Sequence, residues 1–307
     1  MARRRVVKTL AETSEDALLP ILLQGMPEGK NLVLGPGDDC AAMSVGGSRD
    51  LILLKCDAMV EGVHYLQETP PERVGWKALC RPLSDIAAMG GEPTQALVSI
   101  FSPSNRTVDY WKGFYKGVAK AAKAYGVGLA GGETSRSDTA AVSVFLTGRI
   151  EPLRLIRRSG GRPGDTLFVT GSLGGSITGK HLTFKPRMAE GRWLGGNGYA
   201  RAMMDLSDGL ATDLPRLAAA SECGYNLKVE DLPRSRGCSI EQALIDGEDY
   251  ELLFACPPGM VARLKNAWPN AFPKVRLTPI GTLVEPGSSS TPLPRGFDHF
   301  FSCQAPT

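Results

Sequence analysis

From Leu51 to Met59 apolar side chains recur at every second position, which predicts a strand with Lys55 and Asp57 on one face and Cys56 on the other. Between Arg73 and Met89 the period lengthens. Leu79, Leu83, Ile86 and Ala87 fall on one helical stripe with Ser84-Asp85 beside it, and Pro82, which has no backbone N–H, predicts a kink. Thr13-Ser14-Glu15-Asp16 ahead of Ala17-Leu18-Leu19 marks an earlier helix start, with a hydroxyl cap and acids in the first turn. Strands over 94–102, 126–130 and 140–149 and a helix over 108–125 complete a first half of alternating type. Residues 157–165 are rich in Gly, Arg and Pro, so the domain junction is placed near residue 150, giving domains 1–150 and 151–307.

The second half repeats the alternation. Strands are expected over 166–170, 202–206, 225–229, 250–256 and 275–283, and helices after the Gly-rich turn, over 240–245 and over 260–267. A further helix is predicted to open at Asp213-Leu214-Pro215, with Pro in the first turn, and to end at Cys223-Gly224. Both halves therefore read as α/β.

With 307 residues, 42% of them apolar, the chain can bury two cores or one large one. No apolar run approaches the roughly eighteen residues that span a bilayer, and Arg3-Arg4-Arg5 is followed by no signal-peptide core, so a soluble cytoplasmic protein without membrane contact is expected. Seven scattered cysteines with no Cys-x-x-Cys pair argue for reduced thiols. The charges are interspersed and sum to +3, which offers nucleic acid no basic field.

The chemistry lies in the acids. Gly35-Pro36-Gly37-Asp38-Asp39 sets two adjacent carboxylates behind a tight turn, an arrangement that like-charge repulsion disfavours unless a cation joins them. Acids recur where elements change type: Asp57 at a strand end, Asp85 in a helix, Glu133 after Gly131-Gly132, Asp205 and Asp208 around Ser207, and Glu248-Asp249 after Gly247. Each one alone reads as an ordinary cap or solvated charge. Together they read as one pocket built from distant strand ends and loops, and an all-oxygen donor set suits magnesium and phosphate chemistry. Gly174-Gly175-Ser176-Ile177-Thr178-Gly179-Lys180-His181 imitates a phosphate-binding loop, but His181 stands where a hydroxyl must hold the metal. No nucleophile elbow or dinucleotide fingerprint is present, and His64, His181 and His299 are isolated along the chain, against a triad or a His-rich zinc site.

Gly37-Asp38-Asp39-Cys40-Ala41, Asp57-Ala58-Met59-Val60-Glu61-Gly62-Val63-His64, Leu83-Ser84-Asp85-Ile86-Ala87-Ala88-Met89-Gly90, Asp205-Leu206-Ser207-Asp208-Gly209-Leu210 and Gly247-Glu248-Asp249-Tyr250-Glu251-Leu252 resemble, in order and across nearly the whole chain, the thiamine-monophosphate kinase family of the aminoimidazole ribonucleotide synthetase superfamily. The resemblance implies a two-domain α/β (α+β) fold whose N-terminal sheet pairs with a partner's into a barrel, making a homodimer. The C-terminal α/β domain would close the ATP site. It implies transfer of the γ-phosphoryl group of ATP to thiamine monophosphate, giving thiamine diphosphate. Position by position, it implies magnesium ligands at Asp39, Asp57, Asp85, Glu133, Asp205 and Asp208, and nucleotide contacts at Tyr115, Gly132, Glu133, Arg158 and Ser207. It further implies thiamine-side residues at His64, Glu248 and Phe297, and puts Asp208 and Arg158 in the catalytic role. A phosphate acceptor is already anionic and needs no general base, which suits a site rich in acids and poor in histidine.

The chain departs from that pattern in places. Lys55-Cys56 stands where the family has a hydroxyl pair, Glu133 replaces Asp, Pro82 replaces a polar residue, and the segment from Gly179 to Leu194 is shorter. The Lys55 ammonium is expected to take the place of part of the metal cluster, so that fewer ions bind. Two further readings stay open: a superfamily paralogue acting on another small phosphorylated acceptor, and a dimeric nucleotide-binding protein without catalysis.

Overall fold

A computed structural model describes residues 9–10, 15–27, 29–288 and 292–294. Helix α1 spans Glu15–Leu23. Strands β1 (Leu32–Leu34), β2 (Ala41–Ser44) and β3 (Leu51–Val60) lead to α2 (Pro71–Ala88), β4 (Glu92–Ser102), α3 (Val108–Tyr125), β5 (Gly128–Arg136) and β6 (Ala141–Ile150). Then come β7 (Thr166–Thr170), α4 (Met188–Gly196), β8 (Ala202–Asp205), α5 (Leu210–Ala220), β9 (Gly224–Leu227), α6 (Ile240–Ile245), β10 (Leu252–Cys256), α7 (Val261–Ala271) and β11 (Leu277–Val284). No helix among the described residues is long and apolar enough to cross a membrane. The cap expected at Thr13-Ser14 lies outside the described residues.

The first sheet has the order β1-β2-β3-β6-β4-β5, antiparallel throughout except for the parallel pair β4 and β5. Its two faces differ. On β3, Leu51, Leu53 and Met59 are buried under α2, and Lys55 and Asp57 share that side. On the opposite side Cys56 and Ala58 are exposed, and neighbouring strands add Leu97 at 42% and Phe101 at 36%. The second sheet, β8-β10-β7-β11-β9, is wholly antiparallel. It is covered on both faces, by α5 and α6 through Leu214, Leu217 and Leu244 and by α4 and α7 through Leu194, Leu264 and Trp268. Its central strands are accordingly buried without alternation, β10 at every residue and β7 at all but Thr166.

Three boundaries differ from the pattern-based expectation. The polar run through Gly-Gly-Glu-Thr-Ser-Arg extends β5 to Arg136, because a parallel ladder with β4 supplies bonds that its composition does not advertise. Helix α5 opens at Leu210, so Pro215 lies inside it. Asp213 does not begin that helix; its Oδ2 accepts the Ser207 and Asp208 amides at 3.1 and 3.0 Å and fixes the preceding loop. The strand expected from Tyr250 begins at Leu252, because Glu248 and Tyr250 take positive φ of 62° and 51°. Helix α2 continues unbroken past Pro82.

Helix α2 joins the two halves. It crosses α3 so closely that a Cβ added to Gly75 would lie 1.9 Å from the Phe114 carbonyl oxygen, and one added to Gly117 would lie 2.0 Å from that of Glu72. At its other end Gly191 of α4 approaches Ala87 as tightly, and Ala88 packs among Ile156 and Phe168 of the second half. We expect Gly117→Ala to lower stability by about 2 kcal/mol or more, since the backbone clash outweighs the roughly 1 kcal/mol that Ala gains over Gly in a helix. A thermal melt within experimental error of the parent would refute this reading of the crossing.

Candidate functional site

Polar residues interrupt the apolar surface of α2 at one helical spacing: Lys77, Arg81, then Ser84 and Asp85. Lys77 is fully buried, as is most of the helix around it. This stripe faces the ends of β3 and β8 and the loops that follow them, and there the acids converge.

One carboxylate oxygen from each of Asp39, Asp85 and Asp205 lies within 4.8 Å of the other two. All three residues are buried, and Asp39 Oδ2 has no hydrogen-bond partner among the described residues. Burial and then the Asp39 charge push Asp205 up to about 7, and burial and neighbouring acids push Asp85 well above the carboxylate range. Burial and Asp39 raise Asp38 to about 6. Asp57 is half-buried, and Lys55 and then Arg81 outweigh its desolvation and hold it low.

Each cation nearby is attached differently. Lys55 Nζ lies 2.6 Å from Asp85 Oδ1 and 3.9 Å from Asp57 Oδ1, on the strand face where the alternation puts it. Arg158 donates Nη2 to Asp39 Oδ1 at 2.7 Å, and its backbone N–H reaches both Asp38 oxygens. Arg216 binds Asp208, Asp213 at 3.1 Å and Asp16 of α1 at 3.0 Å. Arg81 donates Nη1 to the Ala58 carbonyl at 2.8 Å. Asp57, Asp85, Arg158, Ser207, Asp208 and Arg216 all line one cleft of about 480 Å³.

A second cavity of about 270 Å³ adjoins it. Val63, Ile177, Ile245 and Tyr250 give it apolar walls, and Glu248 gives it a carboxylate. The two spaces share His64, Arg81, Ser207 and Asp208. Glu248 is gripped from behind. Lys77 Nζ lies 2.7 Å from it and 2.8 Å from His181 Nδ1, His181 Nδ1 lies 2.8 Å from Glu248 Oε2, and Lys77 also donates to the His64 carbonyl at 2.6 Å. Burial alone would raise Glu248, but these partners bring it down to about 2. Burial depresses Lys77 to about 8 despite its carboxylate partner. Tyr250 stacks on Phe184 with ring centres 3.9 Å apart.

The phosphate-loop imitation is used otherwise. Gly174 N–H donates to Asp249 Oδ2 and Gly175 N–H to Asp246 Oδ2, at 2.8 and 2.7 Å, and Ser176 Oγ donates to the Glu248 carbonyl. These donors hold the loop around Glu248. His181, isolated in sequence, is thus paired in space.

The fold does not bring every expected residue to the cleft. Glu133 sits on exposed β5, where its carboxylate accepts from the Thr134 amide, and neither it nor Gly132 lines either cavity. Tyr115 packs on the first core, edge to face with Phe114. Phe297 lies outside the described residues. Sequence reasoning missed Lys77, Arg81, His181 and Arg216. The first two stand eight and four residues before Asp85 on one helix face, a readable spacing, whereas Arg216 meets Asp16 across 200 residues.

Residues 37–150 match the family described as AIR synthase related protein, N-terminal domain, and residues 162–290 its C-terminal counterpart. Thiamine-monophosphate kinase of Aquifex aeolicus is 36% identical over 299 residues, covering 86% of this chain and 92% of that protein. Thiamine-monophosphate kinase of Synechococcus elongatus is 31% identical over 327 residues, covering 95% and 98%. Among solved structures, AaThiL complexed with AMPPCP and TMP is similar at 32% identity and a TM-score of 0.82, covering 96% of this chain and all of that one.

The grip on Glu248 has a pH signature. A carboxyl held near 2 against an ordinary 4.5 favours the folded state above pH 4.5, and that advantage is lost as pH falls toward 2. Urea unfolding should therefore show Glu248→Gln with a shallower loss of stability than the parent across this window, the difference approaching roughly 3 kcal/mol. Parallel curves would remove the assigned ion pair.

Proposed function

We propose, given that the chain belongs to the thiamine-monophosphate kinase family, that it transfers the γ-phosphoryl group of ATP to thiamine monophosphate, yielding thiamine diphosphate and ADP. The observation that carries this is the meeting of two unlike cavities at His64, Arg81, Ser207 and Asp208, one walled by carboxylates and one by apolar side chains with Glu248 held ionised among them. The solved relative that holds AMPPCP, an ATP analogue, together with TMP supports the same pairing of donor and acceptor.

The acidic cleft takes the phosphate tail. Its donors are all oxygens, Asp39 Oδ2 is buried without a partner among the described residues, and the burial and like charge that raise Asp85 and Asp205 are what a hard cation would offset, so the residues fit magnesium. Asp39, Asp57, Asp85, Asp205 and Asp208 would hold it. Magnesium bound there would supply the positive charge that offsets the phosphate tail. Lys55 already engages Asp85 and approaches Asp57, which supports the expectation of fewer ions than a carboxylate set of this size could hold. Arg158 and Ser207 orient the phosphates, with Arg158 and Asp208 nearest the transfer. In the second cavity His64 and Glu248 receive the thiamine moiety, whose cationic thiazolium suits a carboxylate kept ionised by Lys77 and His181; Phe297 is assigned to the same side.

An oxygen of the acceptor phosphate forms a bond to the γ-phosphorus while the bond to the β,γ-bridging oxygen breaks, and ADP leaves with that electron pair. The acceptor dianion gives up no proton. Catalysis therefore reduces to positioning and charge neutralisation.

A homodimer completes the proposal. The first sheet leaves one face uncovered, with Leu97, Phe101 and Leu129 exposed and β5 at its edge. A second copy laid against that face would close the two sheets into a barrel and protect the edge. It would also bring Tyr115, Gly132 and Glu133, which lie away from the cleft in a single chain, toward a shared nucleotide site.

Purified protein given ATP, magnesium and thiamine monophosphate should release thiamine diphosphate, and Asp57→Asn should lower kcat by about a hundredfold or more. Turnover only with other phosphorylated acceptors, or binding without turnover, would overturn the proposal. Light scattering should give twice the chain mass, and Phe101→Asp should give a monomer; a monomeric parent would remove the barrel.

A further inference from the structure

We infer that Arg81 is the acceptor-phosphate clamp of this site: its guanidinium grips the phosphate monoester of the incoming substrate at the seam between the two cavities. The inference rests on the phosphotransfer reading above and specifies which group receives the acceptor's charge.

Four residues line both cavities, and Arg81 is the one among them with a permanent positive charge. The other cations of the site are already held by carboxylates: Lys55 by Asp85, Arg158 by Asp39, Arg216 by Asp208 and Asp213, Lys77 by Glu248. Among the described residues Arg81 makes no ion pair within 4.0 Å, and its one hydrogen bond goes from Nη1 to the Ala58 carbonyl. A guanidinium has five N–H groups, so most of its fork is uncommitted. Carboxylates stand on both sides of it, with Asp57 and Asp85 toward the cleft and Glu248 toward the apolar cavity.

A half-buried cation that stops short of every neighbouring carboxylate is unfavourable unless an anion arrives to complete it. The planar fork matches two oxygens of a phosphate, a fit that a point charge cannot reproduce. The reaction also requires a dianionic acceptor to approach a polyanionic donor to bonding distance. That repulsion grows as the two phosphates close to bonding distance, so a cation at the seam lowers the barrier. The packing of α2 against α3 holds the helix that carries Arg81, and the Ala58 contact aims the side chain.

The test compares thiamine monophosphate with thiamine, which differ by the phosphate alone, by calorimetry on the parent and on Arg81→Gln. We expect the substitution to weaken binding of thiamine monophosphate at least tenfold, to leave thiamine within twofold, and to lower kcat by about a hundredfold. A role limited to supporting Ala58 would instead shift both ligands equally and lower the melting temperature. If Arg81→Gln does not fold, Arg81→Lys, which keeps the charge and loses the fork, is scored by the same ratio of the two affinities. An unchanged ratio in a folded variant overturns the clamp even when the parent makes thiamine diphosphate. A parent that prefers the phosphorylated ligand through Arg81 and yet transfers no phosphoryl group overturns the reaction and leaves the clamp standing.

Discussion

Asp38, Asp39, Asp57, Asp85 and Asp205 are brought into one largely buried region where Lys55 and Arg158 are the cations bonded directly to them. Burial first and like charge second raise a carboxylate's affinity for protons, and the elevated Asp38, Asp85 and Asp205 express both. Such a cluster does not form from side chains free to relax into water. It requires rigid elements that hold each acid where it is electrostatically unfavourable, so that a later cation and a phosphate tail resolve the conflict.

Helix α2 provides most of that rigidity. Glycines at its crossings with α3 and α4 let backbones touch, so the helix is clamped along its length and contacts both sheets. An amphipathic helix ordinarily turns its polar side to solvent. Here the line of Lys77, Arg81, Ser84 and Asp85 points inward, and every charge on it must find a partner in the protein or in a ligand. Lys77 and Asp85 have protein partners. Arg81 is the member left for substrate.

The second half contributes loops more than helices. Glu248 and Tyr250 adopt positive φ, a strained conformation for side-chain-bearing residues, and they are kept there by the Gly174–Ser176 donors on one side and by Lys77 and His181 on the other. The glycine-rich run that imitates a phosphate loop thus serves a carboxylate loop, and the imitation fails chemically because its amides already have acceptors. Helix α1 is attached to this edge of the cleft through Asp16 and Arg216, which also carries Asp208.

Much of this was legible in the residues themselves. The alternation through Leu51–Met59 put Lys55 and Asp57 on one face, and the structure finds them there beside Asp85; the helix over 108–125 and the strand over 166–170 coincide with α3 and β7. The motifs also pointed to a common pocket for Asp39, Asp85 and Asp205. These are local signals, since periodicity and capping involve neighbours a few positions away. Tertiary structure decided the rest: that the polar Gly-Gly-Glu run of β5 becomes a strand, that Pro215 lies within a helix, that His181 pairs with Lys77 and Glu248, and that Glu133 and Tyr115 stand away from the cleft of their own chain. The β5 ladder and the Lys77–His181–Glu248 cluster depend on contacts across tens to hundreds of residues, and the free energy of such a contact belongs to the packed neighbours and not to the segment that makes it.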